Sequence, residues 1–244
     1  MDRMIYIGMA GARAVADAQG VVANNLANAN TTGFRADLQQ LKSRAQSGPG
    51  YDSRAYASVD SPGSNFASAP LIATGRDLDV GIQGEGWIAV QAADGTEGYT
   101  RGGDLQVSAG GILTNGAGHP VLGNSGPVAI PPADRIVIGK DGTVSAKLLG
   151  QGTLVVLDRI KLVNPPNAQL SKSNDGLFRL KGGAEADVDA AVTLVAGAVE
   201  SSNVSSVESL VQMMSLARLF EMQVKVMKEA ESTDSASSQL LRPG

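Results

Sequence analysis

Four groups of residues in this chain have types and spacings that chemistry could use. His119, the only histidine, precedes Pro120 in a glycine-rich stretch. Zinc needs further nitrogen or sulfur ligands, and the chain has no cysteine, so no metal site is expected. A nucleophilic triad would have to take His119 as its base, from a segment that reads as a turn. Asp77 and Asp79 stand two apart on a predicted strand and so face one side. A carboxylate pair would fit that spacing, but solvent-facing acids are the expectation. Gly81-Ile82-Gln83-Gly84-Glu85-Gly86 has the wrong glycine order for a phosphate loop, and Trp87 opens a strand rather than a helix, so a hairpin turn is expected. Asn203-Val204-Ser205 matches a glycosylation sequon as easily by chance as by design. No catalytic residue, cofactor site or metal site is assigned.

The elements that would position such groups suggest a different role. Of the 244 residues, 18% are charged and 4% aromatic, low for an enzyme of this size. The 30 glycines fit many tight turns. Much of the hydrophobic content is Ala and Val, and a core of small side chains buries less area per residue. Partners are therefore expected to complete its stability. A net charge of −4 without a basic stripe excludes nucleic-acid binding. The lack of cysteine removes disulfides and thiolate nucleophiles, and suits a chain exported unfolded that folds in an oxidising space. Met4 to Ala12 is an apolar run after Asp2-Arg3. Its helical pattern continues to Leu26, so it reads as a helix and not as a cleaved signal. No stretch approaches the ~18 apolar residues of a membrane-spanning helix.

Helices are predicted at both ends. Over residues 4–32, Ile5, Ala12, Gln19 and Leu26 recur every seven positions, with Met9, Ala16 and Ala23 four later each time. Small residues fill much of the remaining circumference and allow close packing. The helix is expected to close in Asn24-Asn25-Leu26-Ala27-Asn28-Ala29-Asn30-Thr31-Thr32-Gly33-Phe34, with Gly33 as a left-handed C-cap and Phe34 as an apolar contact beyond it. The second helix, over 203–231, starts near Ser201-Ser202-Asn203 or at Ser205, which has capping-box spacing to Glu208. From Leu210 to Met227 its apolar residues cover more than one face, so neighbours are expected on several sides.

Between the helices, residues 35–75 lose regular pattern around Ser47-Gly48-Pro49-Gly50 and Ser61-Pro62-Gly63-Ser64, and read as an extended arm. Residues 76–200 read as short strands. Turn signals stand at Asp94-Gly95, Gly110-Gly111, Asn115-Gly116, Asp141-Gly142 and Asn174-Asp175-Gly176. An antiparallel sandwich or open barrel is expected. The fold class is thus α+β: N- and C-terminal helices packing as a coiled-coil-like pair around a central antiparallel β-rich domain. The expected divisions are 1–34, 35–75, 76–200 and 201–244.

These residues resemble those of a known family. Asn24 to Phe34 is similar to the ANNLANxxTxGF signature of bacterial flagellar rod and hook proteins. Leu78-Asp79-Val80, Gly84-Glu85-Gly86-Trp87, Tyr99-Thr100-Arg101 and Gly118-His119-Pro120-Val121-Leu122-Gly123 resemble strings in the same proteins. Ser202-Asn203-Val204, Glu208 and Leu210-Val211 resemble the family's C-terminal helix start. Met1-Asp2-Arg3-Met4-Ile5-Tyr6 and Leu216-Ala217-Arg218-Leu219-Phe220-Glu221 resemble the proximal-rod branch, although that branch commonly carries Gln at the position of Leu219. The resemblance implies a non-enzymatic subunit, exported by the flagellar type III apparatus and polymerised into the periplasmic rod of the basal body. Copies of itself and other proximal and distal rod proteins would be its partners, with the terminal helices lining the inner tube. The assembly interface is expected at Ile5, Met9, Ala12, Ala16, Ala23, Asn24, Asn25, Leu26, Asn28, Gly33, Phe34, Val207, Val211, Met214, Ala217, Leu219, Phe220 and Val224. Two alternatives stay open at this point. One is a distal-rod subunit; the other is a secreted β-domain protein that binds cell-wall glycan, for which no acid pair is evident.

Overall fold

The computed structural model describes residues 2–45, 55–150 and 153–240. They form an α+β protein whose two compact units each draw on separate stretches of chain.

The first unit comprises Met1–Ala29, Asp37–Gly63 and Val204–Gly244. It contains helix α1 (Asp2–Ala27), strands β1 (Asp37–Ala45) and β2 (Ala55–Ser64) as a two-stranded sheet, and helix α2 (Ser206–Leu240). α1 buries Gly8, Gly11, Ala12, Val15, Ala18 and Val22, a set at the three-and-four spacing of one helix face. Gly8 lies against Met227, where an added Cβ would stand 2.8 Å from the Met227 side chain, and Gly11 lies against Gln223. The helices therefore run antiparallel, and the absence of side chains on α1 lets them close up. The predicted stripe is corrected: Met9, Ala16 and Ala23 are on the exposed side of α1. The helix also stops at Ala27, not near residue 32. α2 begins later than Ser201–Asn203 and runs to Leu240; Ser205 is its N-cap, its hydroxyl accepting from the Glu208 amide at 3.3 Å.

The second unit comprises Asn30–Ala36 and Ser64–Asn203. In chain order it contains β3 (Leu71–Ala73), β4 (Val80–Gln83), β5 (Trp87–Gln91), β6 (Glu97–Thr100), β7 (Gln106–Val107), β8 (Leu113–Thr114), β9 (Leu122–Gly123) and β10 (Gly126–Pro127). There follow β11 (Ala133–Ile138), β12 (Thr143–Leu148), β13 (Leu154–Arg159), β14 (Leu162–Val163), β15 (Leu170–Lys172), β16 (Phe178–Leu180), β17 (Thr193–Ala196) and β18 (Ala198–Glu200). The central sheet has the order β14-β5-β6-β16-β15, beside a three-stranded β11-β12-β13 sheet and the ladders β17-β4, β18-β3, β7-β8 and β9-β10. The registered pairings are antiparallel.

Both faces of the central sheet are covered. Ile88 and Val90 point into one apolar cluster with Leu105, Leu113, Val121 and Leu162. Trp87 and Ala89, one residue out of phase, point into the other with Tyr99, Val163 and Phe178. That alternation follows from the two-residue period of a strand. Phe66, Trp87 and Phe178 stack in tilted and edge-on contacts with centroids 4.7–6.0 Å apart.

Two further expectations change. The presumed arm of 35–75 instead contains β1, β2 and β3; β1 is mostly polar, with Leu38 and Leu41 three apart rather than alternating, β2 ends in Ser61-Pro62-Gly63-Ser64, and β3 is only three residues long. The part of it around Ser47-Gly48-Pro49-Gly50 lies outside the described residues. The 81–86 segment is no hairpin: β4 pairs with β17 and β5 with β6, so the turn at Gly84 (φ +88°) and Gly86 (φ +128°) carries the chain between two sheets.

Candidate functional site

In the β unit, the segment just after α1 meets the segment just before α2. The Gly33 amide donates to the Glu200 carbonyl at 2.8 Å, and the Asn203 amide donates to the Phe34 carbonyl at 3.3 Å. Asn203 then uses its whole side chain: its Oδ1 accepts from the Ala36 amide at 2.8 Å, and its Nδ2 donates to the carbonyls of Asn65 and Ala67. An asparagine so engaged answers the sequon reading, because both ends of its amide are spent within the protein.

At the centre of this clasp is a buried ionic triad. Glu200 Oε1 accepts from Arg35 Nη2 at 2.7 Å and from the Ala69 amide at 2.9 Å, while Oε2 accepts from Arg101 Nη1 at 2.7 Å. Arg35 and Glu200 are each 1% exposed and Arg101 5%. Arg101 also donates to the Gly84 carbonyl at 2.6 Å and lies over the Trp87 ring. Lys172 donates to the Arg35 carbonyl and stands 4.0 Å above the Phe34 ring. Burial opposes charge on Glu200, but the hydrogen bonds from Arg101, the Ala69 amide and Arg35 outweigh it and hold the carboxyl below its ordinary range. Burial lowers the Arg35 pKa against the pull of Glu200, yet a guanidinium stays charged. Two arginines against one carboxylate leave excess positive charge indoors, and Arg35 Nε and Nη1 and Arg101 Nε are buried without a hydrogen-bond partner. Removing Glu200 alone is therefore the costly change; replacing all three groups by apolar ones is much less so.

Gly33 takes φ +67°, the left-handed conformation foreseen for it, but lies beyond the helix end and caps nothing. A Cβ there would collide with the Arg101 and Gly102 backbone. Its role is close approach within the clasp.

In the helical unit the asparagines divide the work of the helix end. Asn25 pairs twice with Asp37, its Nδ2 donating to the carbonyl and its Oδ1 accepting from the amide, each at 2.9 Å. Asn28 Nδ2 donates to the Asn24 carbonyl at 2.9 Å, which also accepts from the Asn28 amide at 3.2 Å. Leu219 lines a cleft of about 330 Å³ with Ile7, Gly11, Val15, Leu41 and Tyr56. Ile5, Leu26, Ala217 and Val224 are half-buried, and Ala12 is buried. Val207 (73%), Val211 (53%), Met214 (56%) and Phe220 (37%) stand exposed on α2.

The sequence reading missed Arg35, Glu200 and Lys172. Arg35 follows Gly33-Phe34 directly and Glu200 precedes Ser201-Ser202-Asn203, so each sat at the edge of a string already singled out. Nothing local pairs charges 165 positions apart. It also misjudged Asp79, which is buried rather than solvated and accepts from Thr74 Oγ1 at 2.6 Å. Asp77 is exposed and pairs with Arg135 at 3.3 Å. Asp104, bridged to Asp79 through the backbone, has its carboxyl pushed up, first by burial and further by the Asp79 charge. His119 lies in a turn, its amide donating to Asn115 Oδ1 at 2.8 Å.

A buried clasp joining the stretches that lead to two apolar-surfaced helices defines a structural, assembly-type protein. Comparison with known proteins gives the family. Residues 5–35 match the flagella basal body rod protein family, 81–146 the flagellar hook protein FlgE/F/G D1 domain, and 195–240 the flagellar basal body rod FlgEFG protein C-terminal family. The chain is 41% identical to the flagellar basal-body rod protein FlgF of Salmonella typhimurium over 99% of both chains, and 39% identical to that of Escherichia coli with the same coverage. It is 31% identical to the rod protein FlgG of Agrobacterium fabrum over 91% of this chain and 93% of the relative. The chain belongs to the flagellar basal-body rod protein family, whose members are structural proteins and not enzymes. The glycan-binding alternative thereby loses its footing. Among the described residues no helix is long and apolar enough to cross a membrane.

Proposed function

We propose that this chain is an FlgF-like subunit of the proximal rod, polymerising through its terminal helices into part of the drive shaft that crosses the periplasm. The observation that carries this reading is the surface of α2. Val207, Val211 and Met214 are more than half exposed, and they lie on the side of the helix away from Gln223 and Met227, which meet α1. Their spacing of four and three residues is that of a helix–helix seam. Large apolar side chains at such spacing lose free energy by staying wet, roughly 1.5–3 kcal/mol each. Neighbouring helices in a tube would cover them, in a coiled-coil-like packing.

On this reading α1 and α2, within 1–34 and 201–244, form the inner tube and residues 76–200 the outer β domain. The interface includes Met9, Ala16 and Ala23 on the open side of α1 and Val207, Val211, Met214 and Phe220 on α2. Neighbouring copies and other proximal and distal rod proteins are the partners. Delivery is unfolded, through the flagellar type III export apparatus, which the cysteine-free sequence suits. The 41% and 39% identities to two FlgF relatives, against 31% to the FlgG of Agrobacterium fabrum, support the proximal over the distal position.

The test is amide exchange on isolated rods and on free chain. Residues 207–224 should exchange readily in dilute protein and be protected in rods. A chain absent from isolated rods, or equally open in both states, would defeat the reading.

A further inference from the structure

The β unit has two strand edges of opposite character. β11 and β13 are the outer strands of one three-stranded sheet. The β11 edge is guarded: Asp134 and Arg135 are exposed, and a register shift falls between Ala133 and Arg135. Charges and bulges of that kind prevent strand addition. The β13 edge is open. Leu154, Val155 and Val156 are 57%, 38% and 66% exposed, with no charge from Thr153 to Leu157. Its own register shift lies further along, where Val144 pairs with Asp158 and Ser145 with Val156, leaving 154–156 regular.

A second uncharged edge exists in the same unit. Among the described residues β3 pairs only with β18, and its Leu71 and Ile72 are 40% and 53% exposed. The Thr74 amide donates to the Gly197 carbonyl and the Ser201 amide to the Pro70 carbonyl, so positions 70, 72 and 74 turn their peptide groups toward β18. The peptide groups of Leu71 and Ala73 then face outward, as the alternation of an antiparallel ladder requires.

We propose that β13 of one subunit receives β3 of a second copy of this chain, Leu71–Ala73 pairing along Leu154–Val156. Two arguments select this occupant. The free peptide groups of β13 call for an extended strand, and its uncharged apolar side chains call for an uncharged apolar one, which β3 supplies. The second argument rests on the rod reading above: an open polymer grows by heterologous contacts, one patch meeting a different patch, whereas β13 meeting β13 would close a two-fold dimer.

The chain's lack of cysteine makes the test clean. Ile72→Cys and Val155→Cys subunits are expressed singly and together, and isolated rods are oxidised. The expected result is a crosslinked dimer from the mixture and none from either variant alone. A dimer from Val155→Cys alone overturns the proposal in favour of the two-fold contact, and variants that enter rods without crosslinking overturn it while leaving the rod reading intact. If either variant fails to enter rods, the same mixture is oxidised as concentrated purified protein, where absence of the mixed dimer is decisive against it. Absence of the unsubstituted chain from rods is the separate result that removes the rod reading, and the heterologous argument with it.

Discussion

Ile88, Val90, Leu105, Leu113 and Val121 are wholly buried in the β unit, whereas Val207, Val211 and Met214 in the helical unit are more than half exposed. Both sets are aliphatic or nearly so; what differs is the availability of neighbours within one chain. The five-stranded sheet covers both its faces with its own loops and ladders. α2 is 35 residues long, and a single partner helix plus a two-stranded sheet cannot enclose its whole circumference. The lesson is that one chain can contain a finished core and an unfinished one; on the function proposed above, the unfinished one is where other copies would pack.

The sharpest way to break this comparison is a charge on the open side of α2. Met214→Asp should leave the melting of the free chain unchanged within ~0.5 kcal/mol, as an exposed position does. It should abolish incorporation into rods, because a neighbour would bury an unpaired charge. Normal incorporation, scored by immunodetection in isolated rods, would show that this side meets only solvent.

The clasp predicts the opposite pattern. Glu200→Ala leaves Arg35 and Arg101 buried without their carboxylate, so the β unit should lose about 3–5 kcal/mol of stability. Denaturant titration of the free chain measures this, and a loss below ~1 kcal/mol would show the triad to be dispensable. Gly33→Val should cost about 2 kcal/mol or more, from a left-handed backbone and collision with the Arg101 backbone. That loss should appear in the β unit's transition with α1 helicity preserved; a selective loss of helix would restore the capping role.

Acid acts through the same group. The Glu200 carboxyl titrates lower in the folded chain than in the unfolded one, so the unfolded chain takes up the proton first. The stabilisation is complete above the ordinary carboxylate value and drains away as pH falls through the lowered folded value. Glu200→Gln should flatten that acid limb, and an unaltered pH dependence would place the linkage elsewhere. The smallest effect belongs to Ser205→Ala, which removes the N-cap of α2 and should cost about 1 kcal/mol of helix stability, visible as faster amide exchange over the first turn.

The terminal helices, the strands at Trp87–Gln91 and Glu97–Thr100, and the glycine turns at Gly95, Gly142 and Gly176 were legible because periodicity and turn chemistry are local. The same locality hid the β1–β2 pair: β1 is mostly polar with no two-residue alternation, and β2 ends in Ser61-Pro62-Gly63-Ser64. It also led Gly33 to be taken for a helix cap: its left-handed conformation was readable, while the Arg101 backbone beside it was not.

By itself, then, the sequence determined the α+β class, the lack of a catalytic constellation in its residue types, and the two terminal helices, the second with apolar residues on more than one face. Only the tertiary structure decided that the buried face of α1 is the glycine-lined one, that Asp79 is an interior acid, and that Arg35, Arg101 and Glu200 converge. The reason is physical. Helix and turn preferences arise within a few residues, but a buried ion pair exists only where folding removes water from groups 99 and 165 positions apart, and no local pattern records that distance being closed.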